Sequence, residues 1–504
     1  MKAPARPLLL PALLLCFVQA GCMAPRARTF SDVSRRRAEA FARWRDTTGQ
    51  EALPRLDGEL TAADAVNLAL RYNPTLQQVV QEKRKAEGRL WEAYAEGLPS
   101  VDLSADYARL DEISTINIGT ESFAVGAKDN WSYKVEVTQP LFKGGSVPLA
   151  IKGAKIYRYL NDEAVRQAVQ DSVLAVVRAY DDVLLAGRLY EVQEQSLEFA
   201  ERNLKDVRAR REAGVAIRYD ELRAEVEVSN VRADMIRERN ALRRAWTVLF
   251  RAMGVSQKSE VTLVDRLEYV PLDMSFEDAV EIAFSNRPEL YQREFDVQLQ
   301  DTLLRVLHTR YWPSLEAWGW LQWAKPDPHD STHIGWDRQW QAGLRLTWAL
   351  FDGMRREGQI IQQKAVLRQS EIALSDTEQQ VLEEVKNAVL SLDDARELVE
   401  SQRLNLAQAE EALRLVQIGS QQGVNTALEV LDARAALTRT SGLYYEALHA
   451  HAVARLAFQR AVGLLGPQPG AADVPKEGPP IGVVEPVSTS DNGSAEGSRL
   501  EASH

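Results

Sequence analysis

Cysteine is nearly absent, with two in 504 residues, so no disulfide framework holds this chain together. Histidine is scarce as well, at six residues, and positive charge is in deficit: 61 Lys and Arg face 72 Asp and Glu, for a net charge of -11. No basic tract is long enough to follow a phosphate backbone, which argues against nucleic acid as a partner. Missing too are a nucleophile elbow, a Walker loop, a dinucleotide fingerprint and a zincin motif. The sequence therefore names no catalytic residue, no cofactor and no resident metal, and it reads as a protein other than an enzyme. His329 and His333 have the spacing of metal ligands, but they sit in a polar loop without a third ligand evident in the sequence, and they are left without a metal.

The apolar run from Leu8 to Val18 is too short to span a bilayer; preceded by Lys2 and Arg6 and ending in small residues, it reads as a secretory signal over residues 1–21. Cys16 lies inside that signal, so a cut after Gly21 leaves Cys22 alone at the mature terminus. Ala20-Gly21-Cys22 resembles the bacterial lipoprotein box, whose cysteine thiol carries a fatty acid such as palmitate, although Gln19 stands where that box prefers an aliphatic residue. Residues 22–59, polar and rich in arginine, are then a lipidated N-terminal tether.

What the chain does have is a duplicated heptad seam. Val176, Ala179, Val183, Ala186, Tyr190, Leu197, Ala200, Leu204 and Val207 alternate steps of four and three. The copy runs Val385, Ala388, Leu392, Ala395, Val399, Leu406, Ala409, Leu413 and Val416, and each seam carries one glutamine at the same phase, Gln193 and Gln402. A seam that places Ala beside a larger residue lets helices approach closely. Two long helices are expected, near 147–213 and 354–422, each roughly 100 Å long at 1.5 Å per residue.

Other elements are duplicated with them. Thr61 and Ser275 are N-cap candidates, with Asp64 and Asp278 three residues on. Asn73-Pro74 matches Arg287-Pro288, and Leu98-Pro99-Ser100 matches Trp312-Pro313-Ser314. Between those prolines lie helices, read here as one element over 62–97 in the first repeat. After the second proline of each repeat the period changes to two: Val101, Leu103, Ala105, Tyr107; then Trp131, Tyr133, Val135, Val137; then Trp340, Ala342, Leu344, Leu346, Trp348 and Leu350. Such strands have one oily and one wet face. Of eleven tryptophans, eight lie in or beside them, where an aromatic girdle at a membrane surface needs them; Trp131, Trp340 and Trp348 are the candidates. The connections over 111–130 and 324–338 are read as polar loops. Gly214 and Gly423 end the two long helices, and just beyond the second turn Glu429 and Asp432 share a helix face, where repeat one has Asp220 and Arg223.

Four strands from one chain cannot close a barrel, and an open edge in lipid leaves backbone groups without partners at several kcal/mol each. Chains must combine, two giving eight strands and a filled interior, three giving twelve and room for a lumen.

Taken in order, the paired Asn73-Pro74 and Arg287-Pro288, Leu141-Phe142-Lys143-Gly144-Gly145 and Leu350-Phe351-Asp352-Gly353, Gly214-Val215 and Gly423-Val424, and the closing Gly254 and Gly463 resemble the TolC family of outer-membrane efflux channels, in its lipoprotein (NodT-like) branch. The resemblance covers residues 60–465. It implies an α+β membrane protein: a homotrimeric 12-stranded β-barrel, four strands per chain, continued by a long antiparallel α-helical barrel in the periplasm. The first structural repeat is then 60–265, the second 266–465, and 466–504 a disordered C-terminal tail. It further implies passive conduction from an inner-membrane pump through a periplasmic adaptor, with Gly214, Val215, Gly423 and Val424 as adaptor-docking tips. Glu429 and Asp432 would line the periplasmic aperture, and Asn425 stands where some members place an arginine that locks the closed state. The competing expectation is a trimeric coiled-coil surface adhesin, which has no need of antiparallel hairpins.

Overall fold

The computed structural model describes residues 29–45, 53–118, 121–330 and 333–466. The expected signal, the expected acylation site Cys22 and nearly all of the expected tail lie outside the described residues. The chain divides into two units.

Among described residues, the smaller unit holds 29–45, 53–58 and 255–260. Helix α1 (Thr29–Arg45) falls within the stretch read as a tether. Segments 53–58 and 255–260 are stitched by backbone bonds: Ser256 N–H donates to the Pro54 carbonyl at 3.0 Å, and Glu260 N–H to the Leu56 carbonyl at 2.9 Å. Leu56 N–H completes the clasp on Ser259 Oγ at 3.1 Å. The expected tether therefore contains a helix and the start of strand β1 (Asp57–Leu60).

The larger unit contains the duplication. Helix α2 (Ala62–Tyr72) begins at Thr61, whose hydroxyl accepts from Asp64 N–H while donating to the Asp64 carboxylate at 2.7 Å; Ser275 and Asp278 repeat the arrangement at 2.7 Å ahead of α6 (Phe276–Asn286). The single helix expected over 62–97 is broken. Pro74 excludes its predecessor from helical geometry, so Asn73 turns to ψ 118 and caps a new helix, α3 (Pro74–Ala95), accepting from Thr75 N–H at 2.8 Å. Arg287 takes the same ψ 118 ahead of α7 (Pro288–Thr309), although its side chain makes no cap bond.

The long helices are α4 (Ser146–Glu212) and α8 (Arg355–Gln421), 67 residues each, within a residue or two of the expected ends. Each folds back along a partner, α5 (Arg218–Met253) and α9 (Ala427–Ala461). The seam is buried at Val176, Ala179, Val183 and Ala186 and again at Val385, Ala388, Leu392 and Ala395; nearer the tips Leu204, Val207 and Leu406 are half-buried, while Leu413 is buried again. One apolar cluster joins Val381, Val385 and Leu392 of α8 to Ala279 and Ala283 of α6 and Phe458 of α9. Another joins Val169 and Val173 of α4 to Leu70, Leu76 and Leu456, so the last helix of repeat two helps to bury repeat one. Strand β6 (Glu260–Leu263) leads from α5 toward the second repeat.

Between α3 and α4 the chain forms β2 (Ser100–Arg109), β3 (Ser114–Ile118), β4 (Glu121–Val125) and β5 (Asp129–Lys143); between α7 and α8 it forms β7 (Ser314–Lys325) and β8 (Asp337–Thr347). Four of these make an antiparallel sheet in the order β2-β5-β7-β8. The loop expected over 111–130 is instead largely a hairpin: β3 pairs antiparallel with β4 from Ser114 opposite Val125 to Ile118 opposite Glu121. The sequence Thr115-Ile116-Asn117-Ile118 alternates at period two and carries that hairpin signal within a polar setting.

Candidate functional site

The sheet is the first functional element. Its register sets side chains in rows: Leu103 opposite Val135, Val135 opposite Leu321, and Leu321 opposite Trp340; one row along, Val101, Val137, Gly319 and Ala342. This apolar face is open to the outside of the chain, with Leu103 75%, Trp340 74% and Leu344 69% exposed. The reverse face is polar. Glu316 accepts from Arg345 at 2.7 Å, Gln339 donates to Gln322 at 3.1 Å, and Lys134 and Glu136 form an ion pair along the same strand. Two tryptophans counted toward the girdle belong to this wet side. Trp318 lies under the Arg345 guanidinium at 5.4 Å and Trp320 under the Lys134 ammonium at 5.5 Å. Neither faces where lipid would be; cation–π contact satisfies them among polar neighbours.

Of the three girdle candidates, Trp131 is half-buried against Tyr107, with ring centroids 4.3 Å apart, and Trp340 stands on the open apolar face. Trp348 lies one residue past the end of β8, and its indole N–H donates to the Tyr311 carbonyl at 3.0 Å, an apolar body with a polar tie as interfacial tryptophans have. At the sheet's two borders stand β2 and β8, ten and eleven residues long, each with one side left without a strand among the described residues.

The helix tips are the second element. Gly214 and Gly423 take left-handed backbones, φ 77 and φ 76. In each turn the following valine N–H reaches back five residues, Val215 to the Arg210 carbonyl at 2.9 Å and Val424 to the Gly419 carbonyl at 2.8 Å. That closure thrusts both valines outward, each 77% exposed.

Beyond the turns the two tips differ. In the first, the buried Glu221 carboxylate is caged by Arg208, Arg211 and Arg218. Desolvation pushes that acid up, but hydrogen bonding and charge from Arg218 and Arg211 outweigh it and hold it below the ordinary glutamate range. In the second, Thr426 and Glu429 form a capping box: Thr426 N–H donates to the Glu429 carboxylate at 3.0 Å and Glu429 N–H to Thr426 Oγ at 3.3 Å. Asn425 adds a side-chain bond to Glu429 at 2.7 Å. The Asn425 bond first, then the Thr426 amide, hold the Glu429 carboxyl below its usual range, so it remains an anion. Asp432 is exposed one turn on.

The structure thus joins two of the three expected aperture residues, since Asn425 and Glu429 bind each other, and Asp432 stands exposed three residues further along the helix. It also adds Gly419: a Cβ there would collide with the Asn425 side chain, so the glycine four residues before the turn makes room for the group that holds Glu429. The sequence signal was a glycine in the last turn of a long helix.

A sheet with one bared apolar face, carried on duplicated helix hairpins with exposed valine tips, is the build of a membrane protein with a β-domain. The outer membrane efflux protein family model matches residues 65–255 and 279–464, most of the chain, and the protein belongs to that family. Among relatives, outer membrane efflux protein BepC of Brucella suis is 23% identical over 329 residues, 65% of this chain and 71% of that protein. Outer membrane protein OprJ of Pseudomonas aeruginosa is 23% identical over 446 residues, 84% of this chain and 88% of that one. Of solved structures, a Pseudomonas aeruginosa membrane protein aligns with TM-score 0.69 at 21% identity, covering 84% of this chain and 92% of that one. The outer-membrane channel OprN aligns with TM-score 0.67 at 18% identity, covering 81% and 91%. Membership decides between the two expectations in favour of an outer-membrane efflux channel over an adhesin, and a family of channel proteins agrees with the non-enzymatic reading.

Proposed function

We propose that three copies of this chain close a 12-stranded barrel through the outer membrane, each β8 pairing with the β2 of its neighbour. The carrying observation is that the bared edges, ten and eleven residues long, flank a sheet whose outward face is apolar and whose inward face is polar. Lipid offers those edges no hydrogen bonds, so only another copy satisfies them. The duct conducts passively from a periplasmic adaptor and an inner-membrane pump, the exposed Val215 and Val424 tips being the surfaces the adaptor covers, while selection of cargo lies with the pump. Three second tips bring three Glu429 and three Asp432 together around the axis as a cation-attracting constriction. Cys22 holds each chain to the outer membrane through a fatty acid.

Light scattering of detergent-extracted protein, together with single-channel recording in planar bilayers, tests the reading. Trimers that conduct are expected. A monodisperse soluble monomer, obtained without detergent, would overturn it.

A further inference from the structure

The loop end of the β7–β8 hairpin gathers two carboxylates and an imidazole, with a second imidazole beside one of the carboxylates. Asp327, His329 and Asp337 present ligand atoms that all lie within 4.8 Å of one another. His329 Nδ1 is 3.8 Å from the Asp327 carboxylate and 3.5 Å from that of Asp337, and His333 Nδ1 is 3.7 Å from the other Asp327 oxygen. Ligands bound tetrahedrally at about 2.0 Å stand about 3.3 Å apart, so Asp327, His329 and Asp337 need only small rotations to enclose an ion, while His333, which stands outside that group of three and approaches Asp327, completes the set by swinging its ring inward.

We propose that Asp327, His329, His333 and Asp337 form a site for one divalent transition-metal ion of the zinc class. Two neutral imidazoles and two carboxylates make a neutral complex with a dication, and nitrogen donors favour zinc-like ions over calcium or magnesium, which take oxygen. Asp327 is the fixed point of the arrangement, with the His329 and His333 side chains 63% and 66% exposed around it. Asp327 is oriented by two backbone donors, His329 N–H at 2.8 Å and Asp330 N–H at 3.3 Å, and its side chain is only 13% exposed. The loop closes on itself through Asp327 N–H to the His333 carbonyl at 3.2 Å and His333 N–H to the Asp330 carbonyl at 2.9 Å. The His333 ring lies over Gly335, where a Cβ would come within 2.6 Å of it, so any larger residue would push the imidazole aside. Asp337 begins β8, paired with Ala324 of β7, which fixes the fourth ligand to the sheet. A bound ion clamps the two strands together where they leave the sheet. In the proposed barrel that clamp sits at the outer mouth, but the site needs no other chain.

Calorimetric titration of zinc into the full-length protein in detergent, purified without a polyhistidine tag, tests the site, with cobalt(II) absorption as a second readout of geometry. One zinc per chain and a tetrahedral cobalt spectrum are expected. His329→Ala, His333→Ala and Asp337→Asn should each weaken binding at least about 10-fold, and Gly335→Val should act in the same direction, while His308→Ala leaves binding unchanged. Circular dichroism of each variant separates lost ligands from lost fold. Absence of stoichiometric zinc binding, an octahedral cobalt spectrum, or binding indifferent to the His329→Ala and His333→Ala pair would overturn the proposal, whatever the channel does.

Discussion

Gly254 stands directly against the Tyr72 carbonyl, so close that a Cβ at 254 would overlap it, and Gly463 stands in the same relation to Asn286, its would-be Cβ 2.8 Å from the carbonyl carbon. Both glycines end a helix in left-handed geometry, φ 73 and φ 75, and both lock that helix end to the break between the two short helices of their own repeat. Asn73 Nδ2 donates to the Ala252 carbonyl at 2.9 Å, and in the second repeat the Arg287 guanidinium takes the Ala461 carbonyl at 3.2 Å. The duplicated joint has kept its geometry while changing the residue that makes the bond.

Alanine at these glycines therefore meets two penalties, backbone strain and steric overlap, whereas at Gly214 it meets only the first, because nothing lies within 4 Å of a Cβ there. Gly214→Ala should cost about 1 kcal/mol, and Gly254→Ala or Gly463→Ala about 2 to 4 kcal/mol. Thermal unfolding in detergent, compared across the three variants, checks the order. Equal losses would show that the close approach is not what these positions enforce.

Asp181 lies in α4 near His449, whose Nε2 is 2.7 Å from Asp182. Burial lifts its carboxyl from an ordinary 3.8 to about 6, with His449 and Arg455 pulling the other way. A raised carboxyl binds its proton more tightly in the folded state, so its contribution to stability is complete below about pH 4 and is lost as the pH rises toward 6. Summed over that window the loss is at most about 3 kcal/mol. Asp181→Asn removes this term, and its melting temperature relative to wild type should rise between pH 4 and pH 7. A constant difference across that range would contradict the assignment.

What the sequence made legible was periodic or local. The seam at Val176 to Val207 and its copy, the Thr61 and Ser275 caps, and the Gly214 and Gly423 turns are each decided by residues within a few positions of one another, and they fell close to where they were expected. The misreadings have a different origin. Trp318 and Trp320 belong to the wet face because of the register of β7 against β5 and β8, a long-range property that places them beside Lys134 and Arg345. Spacing along the chain is also silent on the approach of Asp327 and Asp337 to His329 when the hairpin closes, which is a proximity left unread and not a misreading. The break at Asn73 was written in the chain, as asparagine before proline, and was overridden by a helical period that continues through it.

Acylation at Cys22 can be read out without a structure. Cells fed a clickable palmitate analogue should label the mature protein, and Cys22→Ser should abolish the label while leaving the trimer able to assemble, since an acyl anchor and a barrel hold the chain independently. Label that persists in Cys22→Ser, or its absence in wild type, would leave an ordinary secretory signal in place of the anchor.

The second tip permits charge and fold to be separated at one residue. Glutamine at position three of a capping box still accepts from the cap N–H, so Glu429→Gln keeps the Thr426 bond and the Asn425 contact while removing the anion. Glu429→Ala loses both, at a cost of about 1 kcal/mol to the start of α9. If Glu429 and Asp432 attract cations into a narrow mouth, Glu429→Gln with Asp432→Asn should lower cation selectivity and block by divalent ions in planar bilayers at unchanged thermal stability. The attraction should also weaken with ionic strength, because these carboxylates are exposed and screened over about 10 Å at 0.1 M salt. Gly419→Ala serves as the conformational control: it displaces Asn425 and frees Glu429 from its partner without altering charge. A selectivity that follows Gly419→Ala but ignores the double charge variant would mean that the shape of the turn, and not its carboxylates, sets the aperture.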